Sequence, residues 1–258
     1  MTRRILLTFN VLVYFFVLMP ILVVIPVSFS QTQYLVFPPQ GFSLRWYMNF
    51  FSTPELVDSL WLSLRLAAAT TVICTVLGTM VALALVRYQY PGRRAIREFF
   101  LASIVMPRLV LGIALLMFLS KTFLSGHFGG LLLAHIVVAF PYVVRTVSAS
   151  LFGLDRTLEE AGASLGAAPM MVFRTITLPL LKPGIVAGAI FAFVTSFDEL
   201  VMTLFLAGPR LDTLPVKIFN YLEYTSDPTI AAISVILIAI TAVAVLIAER
   251  IVGFGRFV

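Results

Sequence analysis

Six long apolar stretches constrain the fold of this chain more than any other feature of its sequence. Each has close to the ~20 residues that a helix needs to cross the hydrocarbon core of a bilayer. They cover roughly residues 5–27, 62–86, 99–120, 131–151, 184–206 and 230–248. Hydrophobic residues make up 60% of the chain and charged residues only 12%, a balance typical of polytopic membrane proteins. The sequence therefore predicts an all-α membrane protein with six transmembrane helices, organised as a single domain over residues 1–258.

The basic residues predict how these spans are oriented. With the N-terminus inside, eleven lysines and arginines fall in cytoplasmic segments and four in external loops, while Arg65, Arg108 and Arg145 fall within spans. Lysine and arginine accumulate on the cytoplasmic side of membrane proteins, so we expect both termini to face the cytoplasm. The first span is too long for the apolar core of a signal peptide, and we expect it to be retained. Because the net charge of +6 is spread over short loops, it does not indicate nucleic-acid binding.

Both long external loops contain short helical patterns. FSLRWYMNFF, over residues 42–51, predicts a helix at the membrane surface, and LPVKIFNYLEY, over residues 214–224, predicts a second one. This second helix would either rest on lipid or form a docking surface or outer gate. His127 in an external loop and His135 in the fourth span belong to no catalytic or metal-binding motif, and we expect both to be hydrogen-bonded structural residues.

The cytoplasmic segment at about residues 152–182 predicts a pair of short helices. Thr157 and Glu160 have the spacing of a capping box, in which each side chain accepts a hydrogen bond from the backbone N–H of the other residue. This predicts a helix that starts at Leu158. Gly166 permits the left-handed backbone that ends such a helix after about two turns.

A second short helix is expected to follow. Pro169 suits its first turn, where the missing N–H would have no partner, and Pro179 and Pro183 are expected to stop it before the fifth span. Residues 170–173 are all apolar. Since exposed apolar patches mark contact surfaces, the hairpin should pack either on the ends of this chain's own helices or on another protein.

This segment resembles the signature of the permease subunits of ABC importers, E-A-A-x3-G-x9-I-x-L-P, with a glycine in place of the second alanine. The matching residues are Glu160, Ala161, Gly162, Gly166, Ile176, Leu178 and Pro179. The resemblance implies the type I importer fold, in which this segment forms coupling helices that sit in a cleft of a separate ATPase subunit. The first four residues would then lie at the ATPase contact, where Glu160 would act as a contact or as a helix cap. The last three would fix the segment to the membrane domain.

The resemblance also implies an assembly in the inner (plasma) membrane of a bacterium. Its members would be this chain, a second permease (a related chain or a copy), two cytoplasmic ATPase subunits and a periplasmic or extracellular solute-binding protein. ATP and magnesium would bind to the ATPase partner, since this chain has neither a P-loop sequence nor metal-ligand spacing. The chain would be a transport subunit in contact with membrane lipid, and not an enzyme, with no catalytic residue, no bound metal and no nucleic-acid partner.

Charged residues within the spans are candidates for the translocation pathway. Asp198 and Glu199 are predicted to lie deep in the fifth span, where a charge costs at least a few kcal/mol and faces either a pathway or a partner charge. They could contact a cationic solute, or Arg108 and Arg145 could neutralise them. Phe197, which precedes them, is a further pathway candidate.

The stretch SFDELVMTLFLAGP, over residues 196–209, followed by TLPVKIF, resembles the polyamine (spermidine/putrescine) branch of these permeases. That resemblance implies polyamine import. Arg108 lies where permeases of this branch commonly carry an acidic residue, and an arginine in the pathway would repel a polyamine. One alternative is the same class of importer with a zwitterionic solute, such as an amino acid, an opine-like conjugate or an aminophosphonate. Another is a proton-coupled secondary transporter, although the sequence shows no inverted halves and predicts no broken helices.

Overall fold

A computed structural model describes residues 2–208, 211–225 and 227–252, and this part of the chain contains helices and loops but no strand. The helices are α1 (Thr2–Val27), α2 (Arg45–Ser52), α3 (Pro54–Arg87), α4 (Arg93–Val105), α5 (Arg108–Leu119), α6 (Phe128–Phe152), α7 (Thr157–Ser164), α8 (Pro169–Val172), α9 (Leu178–Phe197), α10 (Val201–Leu206), α11 (Leu214–Tyr224) and α12 (Thr229–Val252), with a π-helical turn at Phe173–Thr177 between α8 and α9. The expected loop helices are confirmed as α2 and α11. Arg210 and Arg256, two of the basic residues used to predict orientation, lie outside the described residues.

Five helices are each long and apolar enough to cross a bilayer. They are Ile5–Val27, Pro54–Arg87, Phe128–Phe152, Pro169–Phe197 and Thr229–Ile251. The pair α4 and α5 meets the same criterion only when taken together, which brings the number to as many as six in the described part of the chain. The all-α polytopic architecture is therefore confirmed.

The third span departs from the predicted straight helix over residues 99–120. Its two parts, α4 and α5, are bent by 110° relative to each other. Pro107 has no N–H to continue the helix, and its ring forces the preceding residue out of the helical region. Met106 is accordingly extended, with φ −74° and ψ 134°. The expectation of unbroken spans is thus wrong here.

The fifth span also differs from its prediction. Pro179 and Pro183 were expected to stop the second hairpin helix, but the chain stays helical from Pro169 to Phe197. The π-helical turn explains why the helix continues, because the Leu178 N–H donates to the Phe173 carbonyl in this wider turn. The helix is thereby loosened just before the first proline. The predicted span over residues 184–206 then breaks after Phe197, and α10 forms a separate helix.

The described residues form two compact units, and the prediction of a single domain stays a prediction. One unit comprises the residues up to Asp58 together with Lys217–Ala242. Within it, the indole N–H of Trp46 donates to the Ser30 carbonyl at 2.7 Å, and the Asn49 amide donates to the Thr229 hydroxyl at 2.9 Å. These bonds connect α2 with the loop after α1 and with the start of α12.

The second unit comprises Ser59–Val216 together with the residues from Val243 onward. Its centre is the contact between α6 and α9, where small residues let two helices approach closely. A Cβ atom added at Gly188 would lie 2.6 Å from the Thr146 hydroxyl oxygen and 3.2 Å from the Val143 Cα. The buried residues around this contact include Cys74, Ala82, Ala139, Val143, Val147, Leu151, Leu181 and Ala192. This packing fixes the position of α9, which has a candidate site at each end.

Candidate functional site

The first candidate site is the hairpin of α7 and α8, and its cap differs from the predicted one. Helix α7 starts at Thr157, and the Thr157 N–H donates to the Asp155 carboxylate at 3.0 Å. The Glu160 N–H donates to the Arg156 carbonyl at 3.0 Å, so the capping box of Thr157 and Glu160 is wrong. A carboxylate two residues earlier in the chain closes a local turn more directly than a reciprocal pair does. The hydrogen bond from Thr157 also lowers the pKa of Asp155 below its ordinary value.

The end of α7 is as the sequence predicts. Gly166 has φ +86°, in the left-handed region, which glycine adopts without steric cost. The Gly166 N–H donates to the Ala163 carbonyl at 2.9 Å, and the Ala167 N–H donates to the Gly162 carbonyl at 3.2 Å. Pro169 is the first residue of α8, as expected. The end of the first short helix, the connection and the start of the second are therefore confirmed, whereas the second helix continues into α9.

Gly162, the residue that departs from the signature, lies where α7 meets the π-helical turn. It is buried, and a Cβ atom added to it would lie 2.6 Å from Ile176 Cδ1. The glycine thus allows closer packing on Ile176 than an alanine would. Ala161, Leu178 and Pro179 are exposed in this chain.

Glu159, which the sequence interpretation missed, connects the hairpin to the membrane helices. Its carboxylate accepts hydrogen bonds from the Arg87 guanidinium at 3.0 Å and from the Thr177 hydroxyl at 2.7 Å. Glu160, which the capping-box spacing and the signature both singled out, is exposed. One available signal was the spacing, since Glu159 precedes Gly162 by three residues and therefore lies on the same face of α7.

The apolar residues of the hairpin are covered only in part by this chain, since Val172 is buried but four others stay exposed. Leu158 is 48% exposed, Leu165 90%, Met170 59% and Met171 57%. A cavity of about 560 Å³ beside this face has a lining that includes charged residues of α3 and α7. This chain's own helix ends therefore leave about half or more of each of these four side chains uncovered. A mixed apolar and charged surface of this kind is typical of a protein contact.

The second candidate site lies at the break between α9 and α10, where Glu199 pairs with Arg108. Glu199 is 1% exposed, and its carboxylate accepts a hydrogen bond from the Arg108 guanidinium at 2.5 Å and another from the Met202 N–H at 3.0 Å. Arg108 is the first residue of α5, directly after the bend at Pro107. A buried carboxylate needs such a partner because the cost of removing it from water is otherwise uncompensated. The proposed neutralisation of the acidic pair thus holds for Glu199, with Arg108 as its partner.

The other predicted pathway residues have different surroundings. Asp198 follows the last residue of α9 and is exposed, so the two carboxylates do not lie on one continuous helix as predicted. Phe197 is 2% exposed and stacks on Phe193, with ring centroids 5.4 Å apart. Arg145 forms no ion pair within the described residues, and it lies in a different cavity. The pathway roles of Asp198, Glu199, Arg108 and Phe197 stay predictions.

His135 forms hydrogen bonds to residues on both sides of the break between α9 and α10. It is 1% exposed, with Nδ1 at 2.8 Å from the Ser196 hydroxyl and Nε2 at 3.1 Å from the Thr203 hydroxyl. The Thr203 hydroxyl donates to the Glu199 carbonyl at 3.1 Å. Its oxygen therefore accepts from Nε2–H, and Nδ1 accepts from Ser196. The expected structural role of His135 is confirmed, and His127 is likewise bonded to the Ser125 carbonyl at 2.8 Å.

Neither site contains a metal centre within the described ranges. These ranges contain no group of three or more histidine, cysteine, aspartate or glutamate side chains that could hold a metal ion. The two sites therefore consist of a hairpin surface and of a charged break between helices.

Comparison with known proteins places these features in a family. Residues 74–254 match the family described as binding-protein-dependent transport system inner membrane component. The chain is 30% identical to the spermidine/putrescine transport system permease protein PotC of Haemophilus influenzae over 243 residues, which is 94% of each chain. It is 34% identical over 246 residues to the putrescine transport system permease protein PotI of Escherichia coli, covering 93% of this chain and 84% of the relative.

A solved structure shares the fold. It is a bacterial alginate ABC transporter in complex with an alginate pentasaccharide-bound periplasmic protein, with a TM-score of 0.75 over 96% of this chain and 92% of that chain. At 15% sequence identity, this likeness concerns the fold, which is that of an ABC importer permease.

Proposed function

The chain belongs to the binding-protein-dependent transport system inner membrane component family, and from this premise we propose that it is the permease through which an ATP-driven importer moves a polyamine. Members of this family are transport subunits of the inner membrane and not enzymes. The chain is accordingly a multi-pass inner-membrane protein. The named relatives carry polyamines, and this supports a polyamine as the solute.

The pairing of Arg108 with Glu199 is the observation that carries the choice of solute. An arginine in a pathway would repel a polyamine, but here its charge is compensated by a buried carboxylate. Asp198 then remains as an exposed acidic group beside a neutral pair. A polyamine cation would gain a charge-assisted hydrogen bond from it, and this supports Asp198 as the contact in this chain.

The exposed hairpin supports an ATPase as the partner. We place two cytoplasmic ATPase subunits, which hold ATP and magnesium, against the hairpins of this chain and of a second permease, either a related chain or a copy. A solute-binding protein would deliver the polyamine on the opposite side. The exposed apolar residues around Leu165 and the signature residues Glu160 and Ala161 supply the surface for the ATPase.

A continuous helix supports the coupling mechanism. The hairpin contacts the π-helical turn through Gly162 and Ile176, and that turn belongs to a helix running from Pro169 to the break at Asp198. Closure of the ATPases would move the hairpin, and α9 would pass this movement to the break. Glu159 would pass part of it to α3 through Arg87.

A zwitterionic solute in the same class of importer is the second candidate. The Arg108 side chain is 44% exposed, and in this case it would contact the anionic group of the solute while Asp198 would contact the cationic one. A proton-coupled secondary transporter is disfavoured by the family. The sequence argument against it from unbroken helices no longer holds, since both α4–α5 and α9–α10 are interrupted.

Solute-stimulated ATP hydrolysis tests this proposal. The complete complex would be reconstituted in proteoliposomes, and the binding protein would be loaded in turn with spermidine, putrescine and a set of zwitterionic amino acids and conjugates. We expect stimulation by the polyamines. Stimulation by a zwitterion alone would move the assignment to the second candidate, and uptake driven by a proton gradient without ATP would overturn the importer.

A further inference from the structure

A cavity that plays no part in the transport proposal lies between α4 and α6. It has a volume of about 310 Å³, and three arginines line it: Arg93, Arg97 and Arg145. We call it the arginine cavity. The first two belong to α4 and the third to α6, so the chain brings cations from two helices to one place.

The residues that line the arginine cavity carry more positive than negative charge. Its one lining carboxylate, Glu98, accepts hydrogen bonds from Arg97 at 3.0 and 3.3 Å. The side chains of Arg93 and Arg145 form no ion pair or hydrogen bond in the described ranges. Among the described residues these two cations therefore have no charged partner, and electrostatic complementarity calls for an anion.

The first turn of α4 gives an independent indication of an anion. The N-terminal end of a helix carries a partial positive charge, which favours acidic residues and disfavours basic ones. Helix α4 instead begins with Arg93 and Arg94, has no acidic residue in its first turn, and has no side-chain cap at Gly92. A bound anion would offset this unfavourable arrangement.

The walls and depth of the cavity indicate what kind of anion would bind. Arg145 lies seven residues before the end of α6 at Phe152 (152 − 145), about 10 Å along the helix at about 1.5 Å per residue. An arginine at such a depth extends its guanidinium toward the headgroup region. Apolar side chains of three helices complete the lining, among them Leu85, Leu101, Val144 and Phe152. The site thus combines cations with a surface for an acyl chain.

We propose that the arginine cavity binds the headgroup phosphate of an anionic phospholipid. Arg93 and Arg145 hold the phosphate, and the apolar walls contact the acyl chain. Basic pockets between transmembrane helices on the cytoplasmic side are suited to such headgroups. Free phosphate could form the same contacts with the arginines, but it has no apolar group to contact the apolar walls.

Fluorescence quenching by brominated lipids tests this proposal on the full chain in proteoliposomes. Phe152 lines the cavity and is 69% exposed, so Phe152→Trp places a reporter there. The signal of the native tryptophans, Trp46 and Trp61, is subtracted with the unsubstituted chain. We expect dibrominated phosphatidylglycerol to quench the reporter at several-fold lower mole fraction than dibrominated phosphatidylcholine.

Two kinds of variant assign the preference to the arginine cavity. Arg145→Gln and Arg93→Gln should each reduce the preference for phosphatidylglycerol by about fivefold. This factor is the contribution that one basic residue makes to binding near an anionic membrane surface. Arg145→Lys keeps the charge and should keep most of the preference. Arg94→Gln is the matched control, because Arg94 lies in the same helical turn but does not line the cavity.

Three outcomes would overturn the proposal. Equal quenching by the two lipids would mean that the cavity does not select an anion. An equal loss of preference in Arg94→Gln and Arg93→Gln would reduce the effect to general surface charge. Loss of the preference on adding millimolar inorganic phosphate at constant ionic strength would identify free phosphate as the ligand. Since Arg93 lies at the start of a helix, its variant remains informative if Arg145→Gln does not fold.

Discussion

The Arg108 guanidinium on α5 is hydrogen bonded to the buried Glu199 carboxylate between α9 and α10. One partner follows the bend of the third span and the other lies in the break of the fifth. The pair therefore connects the two interruptions of the membrane helices.

Arg108→Gln should destabilise the chain because it leaves a charged carboxylate buried without a partner. Breaking a buried pair costs about 3–5 kcal/mol, and we expect the lower end because the Arg108 side chain is 44% exposed. The measurement is thermal unfolding of the purified protein in detergent. The double variant Arg108→Met with Glu199→Met should recover most of the loss, and equal destabilisation of the single and double variants would contradict this account.

Asp198→Asn should weaken polyamine transport without unfolding the protein. Asp198 is exposed in this chain, so its substitution leaves no buried group unpaired. The loss of a charge-assisted contact of about 1.5–3 kcal/mol corresponds to roughly a tenfold or greater rise in the KM for uptake. Uptake of labelled spermidine into proteoliposomes measures it. Asp198→Glu keeps the charge and should remain active; unchanged KM in Asp198→Asn would remove this residue from the pathway.

Glu159→Gln and Glu160→Gln should have different effects although the residues are adjacent. Glu159 holds the hairpin to Arg87 and Thr177, so its substitution should increase proteolysis and amide hydrogen exchange within α7. Glu160 is exposed, and its substitution, like Glu160→Ala, should leave α7 protected but reduce ATPase binding or uncouple transport. Limited proteolysis and co-purification of the ATPase separate the two effects. Identical behaviour of both variants would argue against separate roles.

Substitutions at Gly162 should reveal its contact with Ile176. An added Cβ atom would lie 2.6 Å from Ile176 Cδ1, the flexible end of a side chain. Gly162→Ala should therefore cost less than about 1.5 kcal/mol, whereas Gly162→Val should cost about 1–3 kcal/mol or more by overpacking.

Thermal unfolding of the Gly162 variants gives these costs. Ile176→Val removes the Cδ1 atom and should restore Gly162→Ala in a double-mutant cycle. An additive result in that cycle would show that the two residues do not interact.

Local signals in the sequence predicted part of this structure well. Gly166 alone carries the left-handed turn that ends α7, and Pro169 alone carries the start of α8, so each could be inferred from one residue type. The N-terminal cap of α7 could not be inferred in this way, because Asp155 competes with Thr157 and Glu160 for the same backbone groups. Such competition is decided by geometry and not by spacing.

Interactions between distant residues were beyond the reach of the sequence. The length of an apolar stretch does not show whether its helix is straight or bent. The bend at Pro107 in the third span and the break after Phe197 in the fifth were therefore not expected. Arg108 and Arg145 were equally good partners for the acidic pair, and packing selected Arg108 for Glu199. Glu159 was missed because the signature drew attention to its neighbour.

The separation of Arg108 and Glu199 in the chain bears on how the protein is made. They are 91 residues apart, so at about 5–20 residues per second the ribosome adds Glu199 roughly 5–20 seconds after Arg108. During that interval the arginine enters the insertion machinery without its carboxylate. The ion pair that connects the third and fifth spans can therefore form only after the second half of the chain has been made.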